Sequence, residues 1–240
     1  MDRGILIAGN GSALLSAIEI EAAKRVEHYA LAQIPNRFSG AEAKTAPLRR
    51  KENSPVESSV VFPSAYASLE KIRLPLDWNP GSPISARTLV LAAENRLGHI
   101  DDAILVCDPP SSGCSAAGLG FADVEVMVND HIKGWFFLVK ELAAAFRARG
   151  GGTLVLVYPE TVGKDNADDP LGPAALAAFH SLTGSLLAAA TGEPYLVQGF
   201  AGGETGDETG FASFIFKQLE DGIRRVNGKL HKYGKLGLFR

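Results

Sequence analysis

Short runs of wholly apolar residues alternate with stretches whose apolar positions recur every three or four residues, and this alternation extends along nearly the whole chain. The first run covers residues 4–8 and ends in Gly9-Asn10-Gly11-Ser12. The next stretch, 13–29, places Leu14, Ala17, Ile18 and Ala22 on one face and Glu19, Lys24 and Arg25 away from it, which predicts a helix. A buried strand, a glycine turn and a helix in that order is the opening of a parallel sheet with crossover helices. Further strands are predicted at 30–34, 72–77, 103–107, 154–157, 195–200 and 228–233, with helices at 85–97, 124–148, 173–190 and 211–219. Gly98 and Gly150-Gly151-Gly152 mark two helix ends. The pattern lapses between Pro35 and Pro63, where proline, serine and charge dominate around Arg49-Arg50-Lys51-Glu52. Residues 36–63 are expected to be a mobile surface insertion with at most a short strand at 60–62. The fold expected is α/β: a three-layer, Rossmann-like, doubly wound parallel sheet in a single domain spanning 1–240.

Composition narrows the function classes. At 240 residues, 46% hydrophobic and 21% charged, the chain can bury a core and is not disordered by composition. Twenty-four basic against 27 acidic residues give a net charge of −3, which offers no electrostatic footprint for nucleic acid. The apolar runs fall short of the ~20 residues of a membrane span, and no charged-then-apolar leader opens the chain. Cys107 and Cys114 have no second ligand pair and read as free thiols, so neither a metal nor a disulfide framework is expected. These features together point to the cytoplasm.

Three stretches, in their order and spacing, resemble the short-chain dehydrogenase/reductase family. They are Arg96-Leu97-Gly98-His99-Ile100-Asp101-Asp102-Ala103-Ile104-Leu105-Val106, then His131-Ile132-Lys133-Gly134-Trp135-Phe136-Phe137, then Leu182-Thr183-Gly184-Ser185-Leu186. They resemble the family's approach to its fourth strand and the centres of its fifth and sixth helices, and Gly228 sits where the family has a late glycine. The resemblance implies a nucleotide site at Gly9, Asn10, Gly11 and Ser12, with Asp77 in the place of the family's adenine-contacting aspartate and Asp108 at the end of strand four.

The chemical positions depart from the family's pattern. Its second and third loop glycines are replaced by Ala13 and Leu15, and a leucine there is expected to crowd either the diphosphate or the helix–sheet packing. Its asparagine-asparagine-alanine-glycine signature is replaced by Cys107-Asp108-Pro109-Pro110. The serine, tyrosine and lysine positions hold Pro159, Gly172 and Leu176, and the asparagine position holds His131. No catalytic residue is therefore expected. Tyr158 and His131 are the weak candidates for a relocated acid/base set, with Lys164 or His180 as helpers.

Two functional classes follow from the resemblance and its departures. One is a degenerate dehydrogenase-like protein kept for binding or assembly. The other is an NAD(P)-dependent oxidoreductase whose acting groups have moved, and only then is NAD(P) the cofactor. A small-molecule ligand in the vacated cleft is a further reading, with the loop 202–210 and its Glu204, Asp207 and Glu208 as an acidic lid. Trp135, Phe136, Leu138 and Val139, with Ala174, Ala177, Ala178, Leu182 and Leu186, leave the family's fifth and sixth helices apolar on more than one side. A homodimer or homotetramer through these helices is expected, and no nucleic-acid or membrane partner.

Overall fold

A computed structural model describes residues 3–38, 73–160, 168–202, 206–221 and 227–234. From residue 39 onward the expected insertion, with its strand at 60–62, lies outside the described residues. Seven parallel strands form one sheet in the order β3-β2-β1-β4-β5-β6-β7. They are β1 Ile5–Asn10, β2 Tyr29–Ile34, β3 Arg73–Leu76, β4 Asp102–Val106, β5 Thr153–Pro159, β6 Leu196–Gly202 and β7 Lys229–Tyr233. β1 aligns Ile7 with Leu31 of β2 on one side and with Ile104 of β4 on the other. The order therefore reverses between β1 and β4, and a crevice opens beyond their carboxyl ends, as in doubly wound sheets generally.

Among the described residues six α-helices cover the two faces: α1 Ala13–Ala23, α2 Pro83–Leu97, α3 Phe121–Val128, α4 Gly134–Arg149, α5 Leu171–Ala189 and α6 Glu208–Asp221. Helices α2, α4 and α5 bury Leu89, Leu138, Phe146 and Phe179 on one face. Helices α1 and α6 bury Leu15, Ile18, Ile215 and Phe216 on the other. Because a parallel sheet is covered on both sides, its central strands are apolar throughout rather than alternating. The Ser12 hydroxyl caps α1 by accepting from the Leu15 amide at 3.2 Å. The Ser82 hydroxyl caps α2 from Ser85 at 3.3 Å, with Pro83 opening the helix. Gly150 ends α4 at φ +73, a left-handed position that a side chain would strain.

Three expectations are corrected. The first helix stops at Ala23 rather than running to 29, and Tyr29 already begins β2. Arg25 folds back there, donating to the Glu21 carbonyl and carboxylate, while the Tyr29 hydroxyl donates to Glu19 at 3.0 Å. The long helix expected over 124–148 begins at Phe121 and is broken by a π-helical turn, Asn129–Lys133. Pro80 presses on the chain directly beyond this turn, where a Cβ on Gly134 would lie 2.5 Å from the proline Cβ. Finally, one apolar stretch is longer than the sequence pattern suggested: Leu171–Gly192 is a helical segment long and apolar enough to cross a membrane. One side of it, Ala175, Leu176, Phe179 and Thr183, is buried in the domain.

Candidate functional site

The carboxyl ends of the strands bring the loops that follow β1, β2, β3, β4 and β5 to one side of the molecule. The β1–α1 turn is tight. Gly9 is required there, because a Cβ would lie 2.9 Å from the Val106 carbonyl oxygen and 3.0 Å from Leu15 Cδ1. Leu15 itself is fully buried between α1 and the sheet. It therefore fills the helix–sheet interface and does not crowd the crevice, which settles the two alternatives posed by its position. Gly11 is exposed, and the Ser12 amide donates to the Asn10 carbonyl at 2.7 Å. The Asn10 side-chain oxygen is buried without a hydrogen-bond partner.

Asp108 stands at the end of β4, facing this turn. Its carboxylate lies near the Ser12 side chain at the amino end of α1 and feels the charge of Glu208, the first residue of α6. Burial, opposed by the nearby Ser12 side chain and helped by Glu208, pushes its carboxyl above the usual carboxylate range. A helix amino terminus favours a ligand's negative charge by about 0.3–2 kcal/mol. Asp108 thus sets a carboxylate at the amino end of α1, where the helix terminus by itself favours negative charge.

The loop after β4 is fastened to the start of α5. Asp169 accepts from Ser111 Oγ at 2.8 Å, Ser112 N at 2.7 Å, Ser112 Oγ at 2.9 Å and Leu171 N at 3.0 Å. These hydrogen bonds outweigh its burial and hold its carboxyl below the usual range. Sequence reasoning missed this clamp. The Asp168-Asp169-Pro170 string ahead of an apolar helix is a capping signal that would have found half of it.

The segment leaving β2 reaches across the same side. Phe38 is buried against Met127 and Ala175, with Ile132 and Leu171 beside it. Its ring stacks on His131, centroids 6.3 Å apart and planes 20° from parallel. Next to it, Arg37 pairs with Asp130 at 3.6 Å, and Asp130 is fully buried with neither carboxylate oxygen hydrogen-bonded. β2 and β5, whose crossover leads into α5, flank β1 and β4 on opposite sides. Phe38 therefore bridges the crevice on the side of α4 and α5. Burial drives the His131 imidazole down to about 4, and its Nδ1 has no partner. Neutral and enclosed, His131 is a packing residue of the π-helical turn.

Pro159 and Leu176, the residues at the vacated serine and lysine positions, line one cavity of about 650 Å³ between the end of β5, α5 and the edge strands. Tyr158, Glu160, His180 and Lys232 also line it. His180, not His131, approaches Tyr158, with ring centroids 5.4 Å apart. Burial and the nearby Glu160 raise the Tyr158 hydroxyl above its usual range. Lys164 and Glu204 lie outside the described residues. Asp77 is exposed, and it lines a separate hollow of about 490 Å³ beside β2 and β3 with Gln33, Arg73 and Trp78. Among the described residues no group of three or more metal-ligating side chains comes together.

No family model matches the sequence. No curated protein matches it either. Solved structures match over almost the entire chain. A short chain dehydrogenase from Mycobacterium smegmatis superposes with a TM-score of 0.71 at 10% identity, covering 98% of this chain and 93% of that one. A short-chain dehydrogenase/reductase from Brucella melitensis, described as a glucose/ribitol dehydrogenase, gives 0.69 at 17% identity over 99% and 97%. An acetoin dehydrogenase from Salmonella typhimurium gives 0.67 at 14% identity over 97% and 94%. The resemblance read from the sequence is thus matched in three dimensions: the chain has the short-chain dehydrogenase/reductase fold, a single sheet of seven parallel strands between two helical layers.

Proposed function

We propose that this chain is a binding and assembly protein built on the dehydrogenase fold, in which hydride transfer has been given up. The observation that carries this reading is the Asp108 carboxylate beside Ser12 at the amino end of α1, with Glu208 near enough to act on its charge. A nicotinamide dinucleotide would bring its diphosphate to that point, against two carboxylates. Phe38 supports the same reading, since its ring packs beside the former asparagine position and the helix that once carried tyrosine and lysine. Pro159, Gly172 and Leu176 have no ionisable group with which to move a proton.

A second reading, an NAD(P)-dependent oxidoreductase with relocated residues, rests on the contact between Tyr158 and His180. The upward push on the Tyr158 hydroxyl works against it, because an acid/base group is most effective when its pKa lies near the working pH. The test is turnover. Purified protein is mixed with NADH or NADPH and a panel of ketones and aldehydes, and with the oxidised cofactors and alcohols. The reading expects absorbance at the nicotinamide band to stay constant, and steady turnover above contaminant level would remove it.

Assembly is part of the proposal. On α5, Ala174, Ala177, Ser181, Ser185 and Ala188 face solvent, and on α4 so do Phe136 and Ala144. Small residues allow close helix approach, and a two-fold interface is the commonest closed arrangement. We place a homodimer or homotetramer contact on these two helices. The two unpaired cysteines, Cys107 buried and Cys114 half-buried, suit the reducing cytoplasm.

A further inference from the structure

The chain contains the dipeptide asparagine-glycine twice, as Asn10-Gly11 and as Asn227-Gly228. Asparagine before glycine is prone to lose its side-chain amide, because glycine has no Cβ to obstruct its own backbone nitrogen as it approaches the asparagine Cγ. In a folded chain the outcome depends on how the two groups are held, and here the two copies are held in opposite ways. Asn227 is locked. Its Oδ1 accepts from the Val197 amide at 2.7 Å and the Gly228 amide at 2.9 Å. Its Nδ2 donates to the Ala190 carbonyl at 2.7 Å and the Tyr195 carbonyl at 3.2 Å. The Gly228 nitrogen, which would have to attack, also donates to the Val197 carbonyl at 3.0 Å. Asn10, the last residue of β1, has none of these ties. Its Oδ1 is buried without a hydrogen-bond partner, and among the described residues no hydrogen bond holds its side-chain amide. Gly11 is exposed, its φ lies outside the left-handed range, and a Cβ there would meet no atom within 4 Å.

We infer that Asn10 is a site of spontaneous covalent modification, converted with age to aspartate or isoaspartate in the β1–α1 turn, while Asn227 persists. The Gly11 backbone nitrogen attacks Asn10 Cγ and the new C–N bond closes a succinimide ring. The Cγ–Nδ2 bond breaks, and the side-chain nitrogen leaves as ammonia with the proton given up by Gly11. One water then opens the ring, yielding aspartate by addition at Cγ or isoaspartate by addition at the main-chain carbonyl. Nothing is oxidised or reduced, and no enzyme is needed. Either product puts a new carboxylate two residues before Ser12, the cap of α1. Isoaspartate also lengthens the main chain beside Gly9, where even a Cβ would lie 2.9 Å from the Val106 carbonyl oxygen. The inference goes beyond the binding role and stands whether or not a dinucleotide binds.

The full chain is kept at 37 °C in mildly alkaline buffer, and peptides covering each site are followed by mass spectrometry for the mass gain of an amide turned to an acid. Isoaspartate is read with a protein isoaspartate methyltransferase. Each hydrogen bond that must break slows the reaction about two- to tenfold, so Asn10 converts at least about tenfold faster than Asn227 in the folded chain. In guanidinium, where neither side chain is held, the two rates come within about threefold of each other. Gly11→Ala, whose methyl group meets nothing in the fold, keeps the parent circular dichroism and slows conversion of Asn10 by about tenfold, because the added Cβ obstructs attack. The inference is overturned by equal rates at the two sites in the folded chain, or by an Asn10 that persists there while it converts in guanidinium. A difference that remains in guanidinium, or a parent rate in Gly11→Ala, also overturns it.

Discussion

The ring of Phe38 lies over the imidazole of His131, 6.3 Å between centroids and 20° from parallel, and this contact joins the segment leaving β2 to the π-helical turn before α4. A π-helical turn widens one rung of a helix and re-aims the side chains on it, and such turns often mark places that differ in function from the surrounding helix. Here the turn buries Asp130 and His131 together, and the β2 segment supplies an ion pair to one and an aromatic face to the other. The space on this side of the crevice is filled by the protein's own side chains.

Removing the ring tests how firmly that space is filled. Phe38→Ala should destabilise the protein by about 3 kcal/mol, in the range for a buried phenylalanine that leaves a cavity. Urea unfolding followed by tryptophan fluorescence measures it. A change below about 0.5 kcal/mol, the usual size for a surface substitution, would mean the segment merely rests there.

His131 makes stability depend on pH, and the sign is fixed by burial. Its folded value of about 4 is below the ordinary 6.5, so its contribution is complete above pH 6.5 and is lost as pH falls towards 4. The difference amounts to about 3 kcal/mol at full loss. His231, also lowered by burial and by Lys229, acts in the same direction. Asp130 acts oppositely, because burial raises its carboxyl despite Arg37 and protonation there relieves a cost. Urea midpoints at pH 7.5 and pH 4.5 should therefore differ clearly in the parent protein and much less in His131→Gln. Equal losses in both would remove His131 as the source.

Neutralising Asp108 should do two things at once. Asp108→Asn retains a polar side chain beside Ser12 but deletes a buried charge facing Glu208. A gain of about 1 kcal/mol, seen as a melting temperature some 2–4 °C higher, is expected. The same variant should bind inorganic pyrophosphate better than the parent, measured by calorimetry. A lower melting temperature would show that the Ser12–Asp108 contact contributes more than the repulsion removes.

The assembly claim has its own measurement. Sedimentation velocity at micromolar concentration should show a dimer or tetramer, and Ala174→Glu combined with Phe136→Glu should shift it to monomer without loss of helical signal. A monomeric parent protein contradicts the interface.

The architecture was largely legible in the sequence. Buried strands such as 103–107 are short apolar runs between turn signals, and glycines such as Gly98 and Gly150 mark real helix ends. Pro159 and Leu176, placed at the serine and lysine positions by the resemblance, both line one cavity. The π-helical turn was not legible, because Asn129-Asp130-His131-Ile132-Lys133 contains no helix breaker and the residues packed against it, Pro80 and Phe38, come from distant segments. The fate of Leu15 was undecided for a related reason: periodicity gives the face of a helix but not how far a side chain sinks towards the sheet. The Asp169 clamp joins loops 57 residues apart in sequence, and no local pattern encodes its partners.

The central claim is that the crevice beyond β1 and β4 no longer accepts a nicotinamide dinucleotide. Trp78 and Trp135 are buried beside each other, 5.5 Å between ring centroids, on the side of the sheet that carries α2 and α4, and serve as the intrinsic fluorophores. Titrating the protein with NADH and NADPH while following their fluorescence is the most direct measurement. The account predicts no saturable change up to millimolar cofactor, and a saturable response in the micromolar range would contradict it.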